Sequence, residues 1–118
     1  MELHHTELGQ GPSVIILHGL YGSSDNWITI ARELSKNYRI ILVDQRNHGR
    51  SPHSPNHTFN NLAEDLLELF NKLKLPDSFI VGHSMGGKVA MLFALKHPER
   101  VKGMVVVDVS PFSSSAID

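Results

Sequence analysis

Residues 78–96 read Ser78-Phe79-Ile80-Val81-Gly82-His83-Ser84-Met85-Gly86-Gly87-Lys88-Val89-Ala90-Met91-Leu92-Phe93-Ala94-Leu95-Lys96. A short apolar run leads into Gly-x-Ser-x-Gly, and a helical pattern follows at once. Strand, sharp turn with a serine at its apex, then helix is the context of a nucleophile elbow. Such a turn holds its serine in strained backbone geometry and leaves no room for bulk two positions to either side. Gly82 and Gly86 stand at those positions. The helix aims its first N–H groups and the positive end of its dipole at the place where an oxyanion would form. The competing reading is an ordinary Gly/Ser turn without chemistry, and the pentapeptide alone does not decide between the two. The sequence around it does.

Upstream, Ser13-Val14-Ile15-Ile16-Leu17 is a β-branched run that reads as a strand buried on both faces, as in a parallel sheet. It ends in His18-Gly19-Leu20-Tyr21-Gly22-Ser23-Ser24, and a helix is expected over about residues 25–34 with Trp27, Ile30, Ala31 and Leu34 as its apolar stripe. Residues 38–43 form a second such strand, followed by the polar loop Asp44-Gln45-Arg46-Asn47-His48-Gly49-Arg50-Ser51. The clearest helix spans about residues 58–73. Leu62, Leu66, Leu69, Phe70 and Leu73 recur at helical spacing, and Glu64, Asp65, Glu68 and Lys72 are expected on its wet face. After the elbow helix stops at His97-Pro98, residues 101–107 form a last strand carrying Met104-Val105-Val106-Val107. Residues 3–8 read as part of an edge strand before the Gly9-Gln10-Gly11-Pro12 turn. His4 and His5, adjacent on a strand, point to opposite faces and read as a solvated terminus rather than a metal site.

Buried strands alternating with helices imply β-α-β units and a mostly parallel sheet with flanking helices, an α/β fold. Ligands in such sheets bind beyond the carboxyl ends of the strands. His18, Asp44, Ser84 and Asp108 each follow such a strand and should share one rim, although they are far apart in sequence.

Composition narrows the partners. The chain has 118 residues, 41% apolar and 19% charged, with a net charge of −1, which fits one folded domain and no basic surface for nucleic acid. It has no cysteine, so disulfides and thiolate metal sites are excluded. No apolar run approaches the ~20 residues that cross a bilayer, and the first residues carry no signal pattern. A cytoplasmic protein is expected.

Three motifs in order now carry a resemblance. His18-Gly19 after one strand, Asp44-x-Arg46-x-His48-Gly49-x-Ser51 after the next and Gly82-His83-Ser84-Met85-Gly86-Gly87 after the third resemble the α/β-hydrolase fold. Together with residues 14–27 and Val107-Asp108-Val109-Ser110-Pro111 they look like the small bacterial esterases of the YbfF type, which act on short acyl esters and acyl-CoA thioesters. The resemblance implies a serine carboxylesterase or thioesterase acting through an acyl-enzyme on Ser84. It implies backbone N–H groups of Met85 and Leu20 as the oxyanion hole, and Asp108 as the acid that orients a histidine. His18 and Gly19 would shape the oxyanion loop, while Asp44, Arg46, His48 and His83 would brace the rim. The alternative for Asp108 is a strand-end aspartate that caps a turn. No metal or organic cofactor is implied, and the expected substrate is a small acyl ester or thioester.

One part of the constellation is missing. In this fold the order is Ser, then acid, then His, and no histidine follows His97. His97 lies about 13 residues, and so roughly 20 Å, along the elbow helix from Ser84 and cannot be the base. A complete fold of this type needs on the order of 200 residues. Residues 1–118 therefore read as a partial α/β-hydrolase domain, its N-terminal half, with strands near 13–18, 38–43, 78–82 and 101–107, the elbow at 82–86, and the lid and last strands absent. A C-terminal half or a complementary chain is expected to complete it. Two other readings stay open. One keeps the fold with C–C hydrolase, acyltransferase or lyase chemistry; the other is a catalytically incomplete fragment that binds a partner.

Overall fold

A computed structural model describes residues 2–18, 28–45, 51 and 58–107. Their elements, in chain order, are β1 (His5–Leu8), β2 (Ser13–Leu17), α1 (Ile28–Leu34), β3 (Arg39–Val43), α2 (Phe59–Lys72), β4 (Ser78–His83), α3 (Met85–Lys96), a 3-10 turn at Pro98–Arg100 and β5 (Val101–Val107). Among the described residues the five strands make one sheet, ordered β1-β3-β2-β4-β5. β1 runs antiparallel to β3 at one edge, and the other pairings are parallel. The expected mostly parallel α/β sheet is present, with its edge strand.

The apolar runs work through the two-residue period of a strand. Ile15, Leu17, Ile41, Val43 and Ile80 join the core on the α2 and α3 side, with Leu62, Leu66, Leu69, Phe70, Val89, Ala90 and Phe93. Val14, Ile16, Ile40 and Leu42 take the other face, against Ala31 of α1. Val14–Leu17 and Ile40–Val43 are therefore apolar at every position, on both faces of the sheet. The two helices on the first side meet through Phe70 and Phe93, whose ring centroids are 4.9 Å apart. α2 begins where its cap dictates: Thr58 is extended, and its hydroxyl accepts from Asn61 N at 3.1 Å.

Two expectations about helix faces need correction. Ile30 and Leu34 are 49% and 36% exposed, so they do not form the buried stripe of α1; Ala31 is its buried residue and Ile28 packs partly against the core. The small Ala31 side chain brings the helix onto the sheet and leaves its flanks open. Asp65 is not on the wet face of α2 but buried. At about 100° per residue it lies only about 40° around the helix from Leu69, on the flank of the apolar stripe.

At the other edge of the sheet, β5 presents Met104, Val105 and Val106 at 40%, 57% and 40% exposure. The paired edge, β1–β3, carries an ion pair in which Arg39 Nε donates to Glu7 Oε1 at 2.7 Å. The Arg39 hydrogen bond holds the Glu7 carboxyl below its ordinary value, against the opposing effect of partial burial. A lowered carboxyl pKa adds stability that is complete above the unfolded-state value and lost as pH falls through the folded-state value. Both side chains are about a third exposed, so solvent screens the pair and its worth is at most about 1 kcal/mol. Glu7→Gln should lower Tm slightly at neutral pH and not at all well below the carboxylate range; an equal gap at both pH values would refute the assignment.

Candidate functional site

The registers decide what lies together. Leu17 pairs with Val43 on one side and with Gly82 on the other, and His83 pairs with Val107. The parallel strands thus end at one rim. His18 follows β2, Asp44 and Gln45 follow β3, and Ser84 follows β4. Of the residues singled out in the sequence, His18, Asp44, His83, Ser84 and Met85 are on this rim. Gly19, Leu20, Arg46, His48 and Asp108 lie outside the described residues.

Ser84 joins β4 to α3 with φ 55° and ψ −112°. This is a region that residues with a Cβ rarely enter, at a cost of about 1–3 kcal/mol. The surroundings hold it there. Ser84 N donates to Val107 O at 2.8 Å, which ties the apex to the end of β5. Ser84 O accepts from Gly87 N at 2.9 Å and from Lys88 N at 3.3 Å, which starts the helix. The N–H groups ahead of those, at the very start of α3, have no acceptor within a helix by its geometry. Met85 turns its side chain inward, 4% exposed and in the core with Leu17, Val89 and Phe93, so only its backbone faces the rim.

The two flanking glycines are required by close approach. A Cβ on Gly82 would lie 2.5 Å from Gly86 O and 2.7 Å from Gly87 Cα. A Cβ on Gly86 would lie 2.3 Å from Leu17 O and 2.7 Å from His18 O. The helix start therefore rests directly on β2 and β4, backbone on backbone.

His18 is 1% exposed, and its Nε2 accepts from Gln45 N at 3.0 Å. In the neutral ring that leaves the proton on Nδ1. Gln45 Nε2 in turn donates to His18 O at 3.1 Å. Asp44 is also buried, and its backbone is held on both sides: Asp44 N donates to His4 O at 3.0 Å, and Ser51 Oγ donates to Asp44 O. Ser51 Oγ also accepts from His4 N at 2.7 Å, so this hydroxyl fastens the loop after β3 to the start of the chain. Asp44 follows β3 and Ser84 follows β4, with β2 between them. At about 4.8 Å per strand their backbones are roughly 10 Å apart.

Gln45 was not legible as a site residue in the sequence. Its signal was weak but present: a large polar residue directly after a strand buried on both faces must find partners at the rim, and β2 is the neighbour there. Among the described residues no group of three His, Asp or Glu side chains is placed to hold a metal ion, and no helix is long and apolar enough to cross a membrane.

A strained serine between a parallel strand and a helix, at a rim built from strand ends, is the arrangement that defines one large fold family. The chain belongs to it: residues 12–118 match the α/β hydrolase fold family. Among its relatives, an sn-1-specific diacylglycerol lipase ABHD11 of Danio rerio is 44% identical over 110 residues, 92% of this chain and 35% of that protein. The esterase YbfF of Escherichia coli is 37% identical over 98 residues, 83% of this chain and 39% of that protein. In three dimensions the chain is similar to a marine microorganism esterase, with a TM-score of 0.90 and 45% identity over 98% of this chain and 48% of that one. The chain spans little more than a third of the length of these curated relatives and about half of that esterase.

Proposed function

We propose that the protein to which these residues belong is a serine esterase or thioesterase that cleaves short acyl esters or acyl-CoA, with Ser84 as nucleophile. The observation that carries the reading is the Ser84 backbone, φ 55° and ψ −112°, at the β4–α3 junction of an α/β-hydrolase sheet. Esterases and a lipase among the relatives support the reaction class.

In this reading Ser84 Oγ gives its proton to a histidine and attacks the acyl carbonyl carbon. The carbonyl π electrons move to oxygen, and the oxyanion takes the backbone N–H of Met85 and that of Leu20. The tetrahedral intermediate collapses, the alcohol or thiol leaves with the histidine's proton, and water repeats the sequence on the acyl-enzyme. Asp108 is assigned the acid that orients the histidine. Its support is Val107 O, which accepts from Ser84 N and so sets the end of β5 beside the elbow. Unchanged esterase activity in Asp108→Asn would remove it from the triad. His18, with Nε2 engaged by Gln45, suits bracing better than proton transfer. Asp44, two strands from Ser84, fits the same role together with Arg46, His48 and His83.

We assign the base, and the cover over the exposed apolar edge at Met104, Val105 and Val106, to a C-terminal portion of the enzyme. The partial domain at residues 1–118 is part of the same proposal, as is a cytoplasmic location, which a sequence without cysteine fits. The deciding experiment treats the full-length protein with a fluorophosphonate probe and maps the adduct. Modification at Ser84, with turnover of p-nitrophenyl acetate and of an acyl-CoA panel, is expected. Labelling that persists in Ser84→Ala would overturn the assignment.

A further inference from the structure

We propose that Gln45 is a positioning residue for the elbow, acting through the main chain of His18; the proposal rests on the reading of Ser84 as nucleophile. The contact is reciprocal. Gln45 N donates to His18 Nε2 at 3.0 Å, and Gln45 Nε2 donates to His18 O at 3.1 Å. Both residues are buried, at 2% and 1% exposure, so neither hydrogen bond can be replaced by water without opening the rim. The imidazole and the carbonyl of one residue are thereby held by the backbone and the side chain of one other.

That carbonyl has a second neighbour. The first turn of α3 sits on it: a Cβ on Gly86 would come within 2.7 Å of His18 O and 2.3 Å of Leu17 O. Leu17 O belongs to a strand paired on both sides, whereas His18 lies beyond the last registered pair of β2. Gln45 therefore holds the His18 peptide at the point where the registered pairs of β2 end. Where it sits decides where Gly86 can sit, and Gly86 follows Met85 and Ser84 directly. Without the Gln45 amide, His18 O is a buried acceptor that has lost a donor, and the peptide can turn toward another. The cradle of α3 then shifts, and with it the Met85 N–H relative to the carbonyl carbon under attack. Such a displacement acts on the transition state more than on substrate binding.

The test compares full-length wild type with Gln45→Met, which keeps the length and lacks the donor, and Gln45→Glu, which keeps the shape and offers a carboxylate where the amide N–H stood. Active sites are titrated with fluorophosphonate, so that rates are counted per competent site and misfolded protein drops out. Expected is a roughly 10- to 100-fold lower kcat per titrated site on p-nitrophenyl acetate in both variants, with KM unchanged. Inhibition by phenylboronic acid, whose tetrahedral adduct uses the same backbone donor, should weaken by a similar factor. A merely structural role would lower the number of titrated sites and leave kcat per site and boronate affinity alone. That result, in either variant that folds, overturns the proposal. If wild type itself takes no label at Ser84, the proposed function and this proposal fall together.

Discussion

Replacing Ser84 with alanine is expected to end fluorophosphonate labelling and to lower ester hydrolysis by about 10⁴- to 10⁶-fold. The reason is chemical and local. The elbow places one hydroxyl at the junction of β4 and α3, and on the proposed mechanism its loss leaves the base with no nucleophile to activate. Backbone N–H groups at the start of α3 remain, so a small residual rate over water should survive. The backbone makes a second, independent prediction. Alanine keeps a Cβ in the strained φ 55°, ψ −112° conformation, so Ser84→Ala should fold with nearly unchanged stability. Glycine enters that region without penalty, and Ser84→Gly should be equally inactive yet more stable, by about 1 kcal/mol after the greater freedom of the unfolded glycine is subtracted. Kinetics and thermal unfolding on the full-length protein check both. Activity above a tenth of wild type in Ser84→Ala would move the nucleophile elsewhere, and equal stability of the alanine and glycine variants would mean that no strain is held at the elbow.

The contrast between α1 and α2 shows what pattern alone conveys. In α2 the core-facing positions are large and regularly spaced, and Leu62, Leu66, Leu69 and Phe70 are buried as their spacing implies. In α1 the contact is made by Ala31, so the larger Ile30 and Leu34 misled: size suggests burial, but closeness of approach is what buries. Strands β2, β3 and β4 were legible because a run apolar at every position has few alternatives to a central place in a sheet. The rim was legible at the level of placement, since alternation of strand and helix is enough to bring His18, Asp44 and Ser84 to one edge. Pairing across that edge was not. Whether Gln45 meets His18 or some other group depends on the register of β2 against β3, and register is set by the whole sheet rather than by the segment between the partners, which lie 27 positions apart.

The same closeness makes Gly86 a sensitive position for folding. An alanine there would place its Cβ 2.3 Å from Leu17 O, 2.7 Å from Leu17 C and 2.7 Å from His18 O. These are backbone atoms, and Leu17 is paired to Val43 on one side and Gly82 on the other, so β2 cannot yield. Relief must come from α3, whose start is tied to Ser84 O and whose interior carries Val89, Ala90 and Phe93 into the core. Lifting that helix separates Phe93 from Phe70 and opens the core below the elbow. We expect Gly86→Ala to cost about 3 kcal/mol or more, which in a domain of 150–250 residues is a fall in Tm of roughly 6–12 °C. Gly103→Ala is the matched comparison, because its Cβ would meet only the ring of Phe79, at 3.0 and 3.1 Å, and that ring is 37% exposed and free to swing outward. That variant should lose less than about 1 kcal/mol. The two act through one added methyl group each, so their difference isolates what the methyl group strikes. Equal losses in denaturant unfolding of the full-length variants would mean that α3 can slide over β2, and the close approach would then not be what holds the serine in place.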